Sequence, residues 1–409
     1  MINSVKDKIL NNLIKKEINR QQKTINLIAS ENFASPEILK IVGSPLMNKY
    51  SEGYAAEGRR YYPGNQYYDE IENLAQERAL KAFKLKAKSW SVNVQPYSGS
   101  PANLEIYFAL LNFGDVLMGM ELTNGGHLTH GHKVNFSGVV YKTIQYGVDK
   151  KTGLIDYKEV ERLAKKHKPK IIVSGATAYP RKIDFKKFGE IAKKVGAYHM
   201  VDISHISGLV VAGLHQSPFP YSDVVMTTTH KILRGPRAAI IFCKRELADK
   251  IDRAVFPGMQ GGPHNNTIAA IAEMFFETKK QSFKKYQKQV IKNAQALAKS
   301  LKKYGFDLVA GGTDNHLILI NLGGNGFEAE KKLETAGILA NRNSVPGDAS
   351  PFRPSGLRLG TPALTTRGMK EKEMRQIADW IFRILIKNGN SALIKKEVEK
   401  LCKKFPAPK

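Results

Sequence analysis

Between Lys170 and Cys243 the chain alternates short apolar runs with a helical stretch, and this rhythm constrains the fold more than any other feature. Ile171-Ile172-Val173, Tyr198 to Asp202, Asp223 to Thr229 and Ala238 to Cys243 have the length and composition of strands. Phe185 to Val195 carries apolar residues at helical spacing. Strands apolar on both faces and joined through a helix imply βαβ units, hence an α/β fold with a mainly parallel sheet covered by helices. At 409 residues the chain is too long for one small core, so two domains are expected. The expected division is a helical arm over residues 1–24, a large domain over 25–275 and a smaller α+β domain over 276–409. The hinge is expected in one long basic helix running from about Glu273 to Tyr304.

The strand ends carry the candidate chemistry. Open α/β sheets bind ligands at the carboxyl ends of their parallel strands. One such run ends in Asp202, with His205 just beyond. An acid there can cap the next helix, or it can hydrogen-bond a pyridine nitrogen and keep it protonated. Further on, TTTHKILRGPR (Thr227 to Arg237) ends a strand in a basic Gly/Pro turn that holds Lys231. A lysine shielded from water and near other cations falls below the usual ~10.4 and becomes an amine nucleophile towards an aldehyde. The competing reading is plain surface charge, since the chain has 64 Lys+Arg.

Other stretches suggest anion and ligand contacts. Ser100 reads as a helix N-cap with Pro101 at the first helical position, and the apolar helix Leu104 to Leu111 follows. The turn before it exposes backbone N–H groups to an anion. Gly261-Gly262 allows close backbone approach to another anion. GGHLTHGH (Gly125 to His132) is rich in histidine but has no carboxylate or cysteine at ligand spacing, so no metal is expected. Asn48 to Gly64 is a loop dense in Tyr, Glu and Arg, as ligand-contacting loops are. Near the start, Ile9, Leu10, Leu13, Ile14 and Ile18 form an apolar helical stripe that needs a partner surface.

Composition narrows the class. Hydrophobic residues make up 42% and charged residues 25%, as in soluble globular proteins. Cys243 and Cys402 are the only cysteines, which points to a reducing compartment. The first residues lack an apolar signal region, and no run reaches the ~18 apolar residues of a membrane span. A cytoplasmic location is expected. The net charge of +27 would suit a nucleic-acid binder, but the lysines are scattered along helical patterns. They read as solvated helix faces, and nucleic acid is not expected as a partner.

In order along the chain stand LIASENF, NKYSEGY, RRYY, YSGSPAN, GGHLTHG, VNFSG, VDISHISGLVVAG, DVVMTTTHKILRGPR, VFPGMQGGPH, GGTDNHL and NSVPGDASPFRPSGLRLGTPA. From about Asn26 to Arg367 this series resembles the serine hydroxymethyltransferase family, which has the aspartate aminotransferase-like fold (fold type I). The resemblance implies pyridoxal 5'-phosphate bound covalently to Lys231, with Asp202 on its ring nitrogen, His127 stacked on the ring and His205 close by. It implies further cofactor contacts from Ser98, Gly99, Ser100, Thr177 and His230, and from Tyr50, Gly261 and Gly262 of a second subunit. Ser30, Tyr62, Arg237 and Arg358 are implied to bind the amino acid, Arg358 gripping its carboxylate. Glu52 is implied as acid/base, and Glu52, Leu122, Gly126, His127, Leu128, Asn343, Ser350, Pro351 and Phe352 as neighbours of tetrahydrofolate.

The implied reaction is the reversible conversion of L-serine and tetrahydrofolate to glycine and 5,10-methylenetetrahydrofolate through a quinonoid. The implied assembly is a homodimer or tetramer with shared sites. A threonine or 3-hydroxy-amino-acid aldolase of the same fold, acting without folate, is the alternative. Two departures from the family stand out. The loop Ala55-Ala56-Glu57-Gly58 is two residues longer than usual and adds a second carboxylate. Glu52 is expected to be the acid/base and Glu57 a solvated loop residue. Asn321 stands where the family commonly has Asp.

Overall fold

The computed structural model describes residues 5–55, 58–350 and 352–408. Its larger sheet has seven strands in the spatial order Trp90–Asn93, Ala239–Lys244, Val224–Thr228, Tyr198–Asp202, Ile171–Gly175, Val116–Met120 and Lys142–Tyr146. From Val224–Thr228 to Lys142–Tyr146 every pairing is parallel. Ala239–Lys244 runs antiparallel to both of its neighbours. The fold is therefore mixed α/β with a mainly parallel central sheet, as the strand–helix rhythm requires.

Burial explains why these strands read as unbroken apolar runs. Ile172, Val201, Val225, Ile240 and Phe242 belong to the core on one side of the sheet. The residues between them, Ile171, Val173, Met200, Val224, Met226 and Ile241, belong to the core on the other side. Side chains alternate across a strand, so a sheet covered on both faces needs apolar residues at every position. The Phe185–Val195 helix covers one face with Phe185, Phe188, Ile191 and Ala192. Asp184 accepts the Lys187 N–H at its start, and Gly196, at φ 71°, ends it in the left-handed region that glycine tolerates.

A second, smaller sheet is antiparallel and has four strands, in the order Asn341–Asn343, Gly356–Gly360, Leu317–Asn321 and Asp307–Leu308. It has its own core, which includes Ile318, Ile320, Leu357, Leu359, Trp380 and Ile381. Ile25–Asn26 pairs with Ile338–Leu339, tying the early chain to this part.

The single long basic helix expected from Glu273 to Tyr304 is two helices, Asn265–Thr278 and Gln281–Lys303. Lys280 breaks the run with an extended backbone, φ −69° and ψ 141°. The break lets the second helix change direction and pass between cores. Phe283, Tyr286 and Val290 lie in the core of the larger sheet, and Leu297, Ala298 and Leu301 in that of the smaller. The first helix, Lys8–Lys23, is capped by Asp7 and buries no residue. Its apolar stripe stays open, with Ile9 76% and Leu13 56% exposed. Among the described residues no helix is long and apolar enough to cross a membrane. Both cysteines are free and buried.

Candidate active site

The carboxyl ends of the large-sheet strands converge on one cleft of about 450 Å³. Five of the seven strands deliver part of its lining at or beyond their carboxyl ends. Ser98, Gly99 and Ser100 follow Trp90–Asn93, and His127 follows Val116–Met120. Thr177 follows Ile171–Gly175, Asp202 ends its own strand with His205 behind it, and His230 and Lys231 follow Val224–Thr228. The smaller sheet contributes Arg358, and Ser30 and Arg237 complete the wall.

Lys231 sits on a turn that is tied down at several points. Thr229 Oγ1 donates towards the Pro236 and Ala238 carbonyls at 2.6 and 3.1 Å. Gly235 N–H donates back to the Thr229 carbonyl at 2.8 Å. Asn32 Nδ2 and Gln287 Nε2 hold the Lys231 and Ile232 carbonyls, each at 3.1 Å. The lysine Nζ donates to Thr228 Oγ1 at 3.0 Å. Burial pulls its pKa down to about 8; Asp202 works against this, while Arg358 and Arg237 add to it.

Asp202 does not cap the next helix, whose N-cap is Ile206. Oδ1 accepts the Ser204 N–H at 3.0 Å, a local turn contact. Oδ2 faces His130 Nε2 and Asn103 Nδ2, each at 3.3 Å. Burial alone would raise this carboxyl, but His130, Ser204 and Lys231 outweigh it and hold Asp202 well below the usual carboxylate range. It is an anion at neutral pH.

The tautomers of two histidines follow from their partners. His127 Nδ1 accepts the Thr129 N–H at 3.2 Å, so its proton belongs on Nε2. His130 Nδ1 accepts the His127 N–H at 3.3 Å, so its Nε2–H points at Asp202. Burial pulls His127 down to about 4, which keeps that ring neutral.

Arg358 joins the two sheets at the cleft. Its NH1 donates to the Thr177 carbonyl at 2.9 Å and its Nε to Asn341 Oδ1 at 3.1 Å. NH2 approaches Ser30 Oγ at 3.5 Å, a long contact. Burial lowers its pKa to about 10, opposed by Glu31, so the guanidinium stays charged at neutral pH.

One local expectation fails. The N-cap before the Gly99–Leu110 helix is Ser98, and Ser100 lies inside the helix. Pro101 still causes no loss, because N–H groups of a first turn have no intrahelical acceptor. The first-turn residues Gly99 and Ser100 both line the cleft. Glycine is required at 99, where a Cβ would meet Thr228 Cγ2 at 2.6 Å.

A second group of candidate residues is not in the cleft. Tyr50, Glu52, Tyr62, Gly261 and Gly262 gather with one another instead. The Tyr50 and Tyr62 ring centroids are 5.3 Å apart. A Cβ on Gly262 would meet the Tyr50 ring at 2.9 Å, and one on Gly261 would lie 3.3 Å from Glu52 Oε1. The longer loop is closed at its base. Gly53 and Arg60 bridge antiparallel, and Tyr61 N–H donates to the Glu52 carbonyl at 3.0 Å. Arg60 NH1 clamps the Ser51 and Gly53 carbonyls at 2.6 and 2.8 Å. This closure keeps Glu52 beside Tyr61. Ala56 and Glu57 fall outside the described residues.

None of the folate candidates Leu122, Gly126, Leu128, Asn343, Ser350 and Phe352 is among the residues lining the cleft. Leu122 and Gly126 flank a turn whose Gly125 carbonyl accepts the Thr177 N–H at 2.7 Å. Leu128 is exposed, Asn343 Nδ2 donates to the Ser344 carbonyl at 2.7 Å, and Ser350 Oγ accepts the Phe352 N–H at 3.2 Å. Phe352 is 79% exposed, and Pro351 lies outside the described residues.

Sequence reasoning missed Asn103, His130, Ser204 and Thr228. Each supports Asp202 or Lys231, and none is marked by spacing alone. His130 lies in GGHLTHGH, and its partner Asp202 is on a strand end remote in sequence. No group of three or more His, Cys, Asp or Glu among the described residues is placed to hold a metal ion.

The statistical model of a known family, described as serine hydroxymethyltransferase, matches residues 3–381. That span takes in both sheets, the Lys231 turn, Asp202 and Arg358. The chain belongs to the serine hydroxymethyltransferase family of pyridoxal phosphate-dependent enzymes.

Proposed function

We propose that this protein interconverts L-serine and glycine, passing the side-chain carbon to tetrahydrofolate to give 5,10-methylenetetrahydrofolate. The observation that carries this reading is the placing of Lys231, anionic Asp202 and Arg358 in one cleft. The cleft's polar groups suit pyridoxal phosphate. The start of the Gly99–Leu110 helix offers N–H groups to a phosphate. His230 Nδ1 and Asn103 Oδ1 are buried without a partner, as expected of groups that await a ligand. When bound, the cofactor supplies an electron sink for the bonds at the amino acid's Cα.

The chain's own groups then have distinct tasks. Lys231 Nζ, with its lowered pKa, gives up its proton near neutral pH and serves as the amine that binds the cofactor aldehyde. Asp202, held as an anion, would keep a proton on the ring nitrogen. His127, kept neutral, offers a flat face for stacking. Arg358 presents a planar fork to the substrate carboxylate, with Ser30 beside it. Ser98, Ser100, Thr177, His205, His230 and Arg237 fill the remaining contacts. Glu52 moves the proton between the serine hydroxyl and the folate nitrogen.

Glu52, Tyr50, Tyr62, Gly261 and Gly262 form their own patch, so the reading requires a second subunit to bring that patch to the cleft. The assembly is then a homodimer, or a tetramer built from it, and the two buried free cysteines suit the cytoplasm. The division into a helical arm, a large cofactor-binding part and a smaller C-terminal part belongs to the same reading, supported by the separate cores. Leu122, Gly126, Leu128, Asn343, Ser350, Pro351 and Phe352 are assigned to the folate.

The test is serine cleavage by the purified protein with and without tetrahydrofolate, set beside Glu52→Gln and Glu57→Gln. Folate should strongly stimulate glycine release. Glu52→Gln should lose ~10²–10⁴-fold of that stimulated rate, the usual cost of one proton-transfer group. Glu57→Gln should stay near wild type. Equal cleavage of 3-hydroxy amino acids with and without folate would replace this reading by the aldolase.

A further inference from the structure

Asn32 follows Ser30 and Glu31 of the cleft wall but does not itself line the cleft. Its side-chain amide is used in full. Nδ2 donates to the Lys231 carbonyl at 3.1 Å and to Tyr286 Oη at 2.8 Å. Oδ1 accepts the Thr366 hydroxyl at 2.7 Å and the Phe33 N–H at 3.0 Å. The orientation of the amide follows from these partners, because a carbonyl can only accept and a backbone N–H can only donate. The nitrogen must face Lys231 and the oxygen Phe33.

The same bonds reach the strand that carries Arg358. Gly356–Gly360 runs on through Thr361 into the Pro362–Thr366 helix. Thr366 ends that helix and holds Asn32, while the Pro362 carbonyl at its start accepts Tyr286 Oη at 3.2 Å. The chain leading to Asn32 is also pressed against the strand. The Leu27 carbonyl accepts the Gly360 N–H at 2.7 Å, and a Cβ on Gly360 would collide with Ala29. Tyr286 meets the lysine turn at a second point, with the Arg234 guanidinium 4.3 Å from its ring centroid. One amide thus ties the backbone of Lys231 to the element that presents Arg358. An α-amino acid bears its amine and its carboxylate on one carbon, so the two groups that receive them must be held at one separation.

We propose that Asn32 is a positioning residue that sets the spacing between the Lys231 amine and the Arg358 guanidinium, so that one α-amino acid can engage both ends of the cleft. The inference rests on the tasks proposed above for Lys231 and Arg358, and adds the part that keeps them in register. An amine without a carboxylate needs only the Lys231 end and does not depend on this spacing.

The experiment titrates the full-length protein, loaded with pyridoxal phosphate, with glycine and with methylamine, which is glycine without its carboxylate. The visible absorbance of the bound cofactor reads both affinities without turnover. Asn32→Ala should weaken glycine about 10–100-fold, since a displacement of about 1 Å between such groups can cost about 10²-fold. Its affinity for methylamine should stay near wild type. In an Arg358→Ala background the same substitution should cost glycine little more, because the spacing then serves one end only. Asn32→Asp keeps the shape and the acceptor for Thr366 and Phe33 but loses both donors. It should show the same split between the two compounds, and it decides the matter if Asn32→Ala does not fold. Equal losses for glycine and methylamine, or an unchanged glycine affinity, overturn the proposal. A wild-type spectrum that responds to neither compound overturns the assignment of Lys231 itself, and the proposal with it.

Discussion

Lys231 works only if its amine is free at a pH where the protein is stable, and its surroundings see to that. Burial lowers its pKa to about 8. The deprotonated, nucleophilic fraction therefore rises through a midpoint near that value, well below the ~10.4 of a solvated lysine. The rate at which cofactor-free protein captures pyridoxal phosphate should rise with pH and level off above this midpoint. Stopped-flow absorbance across a pH series measures it, and a rate still climbing at the pH of an ordinary lysine would show that the turn does not tune the amine. At this scale the sequence was most informative where chemistry and strand position coincide, as at Lys231, Asp202 and Arg358. It was silent on their supports, because a hydrogen bond from His130 to Asp202 spans 72 positions of chain. The odd Asn321 also becomes intelligible here. Its Nδ2 donates to Asp307 Oδ2 at 3.0 Å and its Oδ1 accepts the Gly323 N–H at 3.0 Å. An ionised Asp could accept that N–H, but it would repel Asp307 where Asn donates to it.

Elements follow the same division between what pattern reveals and what packing decides. Strands with both faces covered were legible because their whole length is apolar. The break at Lys279-Lys280 was not, since two basic helices in series keep one composition while their packing partners change. The Gly99–Leu110 helix also hides a cost. Glu105 lies buried within it, both carboxyl oxygens lack a partner, and burial alone pushes its pKa from 4.5 to about 8. The folded state thus binds this proton more tightly than the unfolded state does. Below pH 4.5 both forms are protonated and Glu105 costs nothing through ionisation; between there and pH 8 the folded state loses ground as the unfolded carboxyl ionises; above pH 8 the loss is complete. Each pH unit in that window costs up to ~1.4 kcal/mol. Glu105→Gln removes the ionisation and keeps the shape. Its stability relative to wild type should grow steadily as pH rises through the window and then level off. Urea unfolding at several pH values supplies the comparison, and a difference that does not change with pH would mean that Glu105 is solvated or paired.

On the scale of the whole molecule, one chain carries two incomplete sets of groups. The cleft has Lys231, Asp202 and Arg358, but no Glu52. The loop patch has Glu52 and its tyrosines, but no lysine. Arg60 secures that patch through Asp69 at 2.7 Å and buried Glu72 at 2.8 Å, so the patch is built to hold a shape by itself. A closed two-fold dimer is the simplest assembly in which each patch can serve the other chain's cleft. This arrangement predicts complementation. Lys231→Ala and Glu52→Gln should each be inactive in folate-dependent turnover as homodimers. In a hybrid of the two, one cleft loses both groups, while the other pairs an intact Lys231 with an intact Glu52 from the partner. Co-expression with two different tags isolates that hybrid. It should recover about half of the wild-type rate per dimer, because one of its two shared sites is whole. If Glu52 instead served the cleft of its own chain, each chain of the hybrid would keep its single defect and no activity would return. A hybrid as inactive as its parents would therefore reject the shared site, even with Lys231 and Glu52 both confirmed as essential.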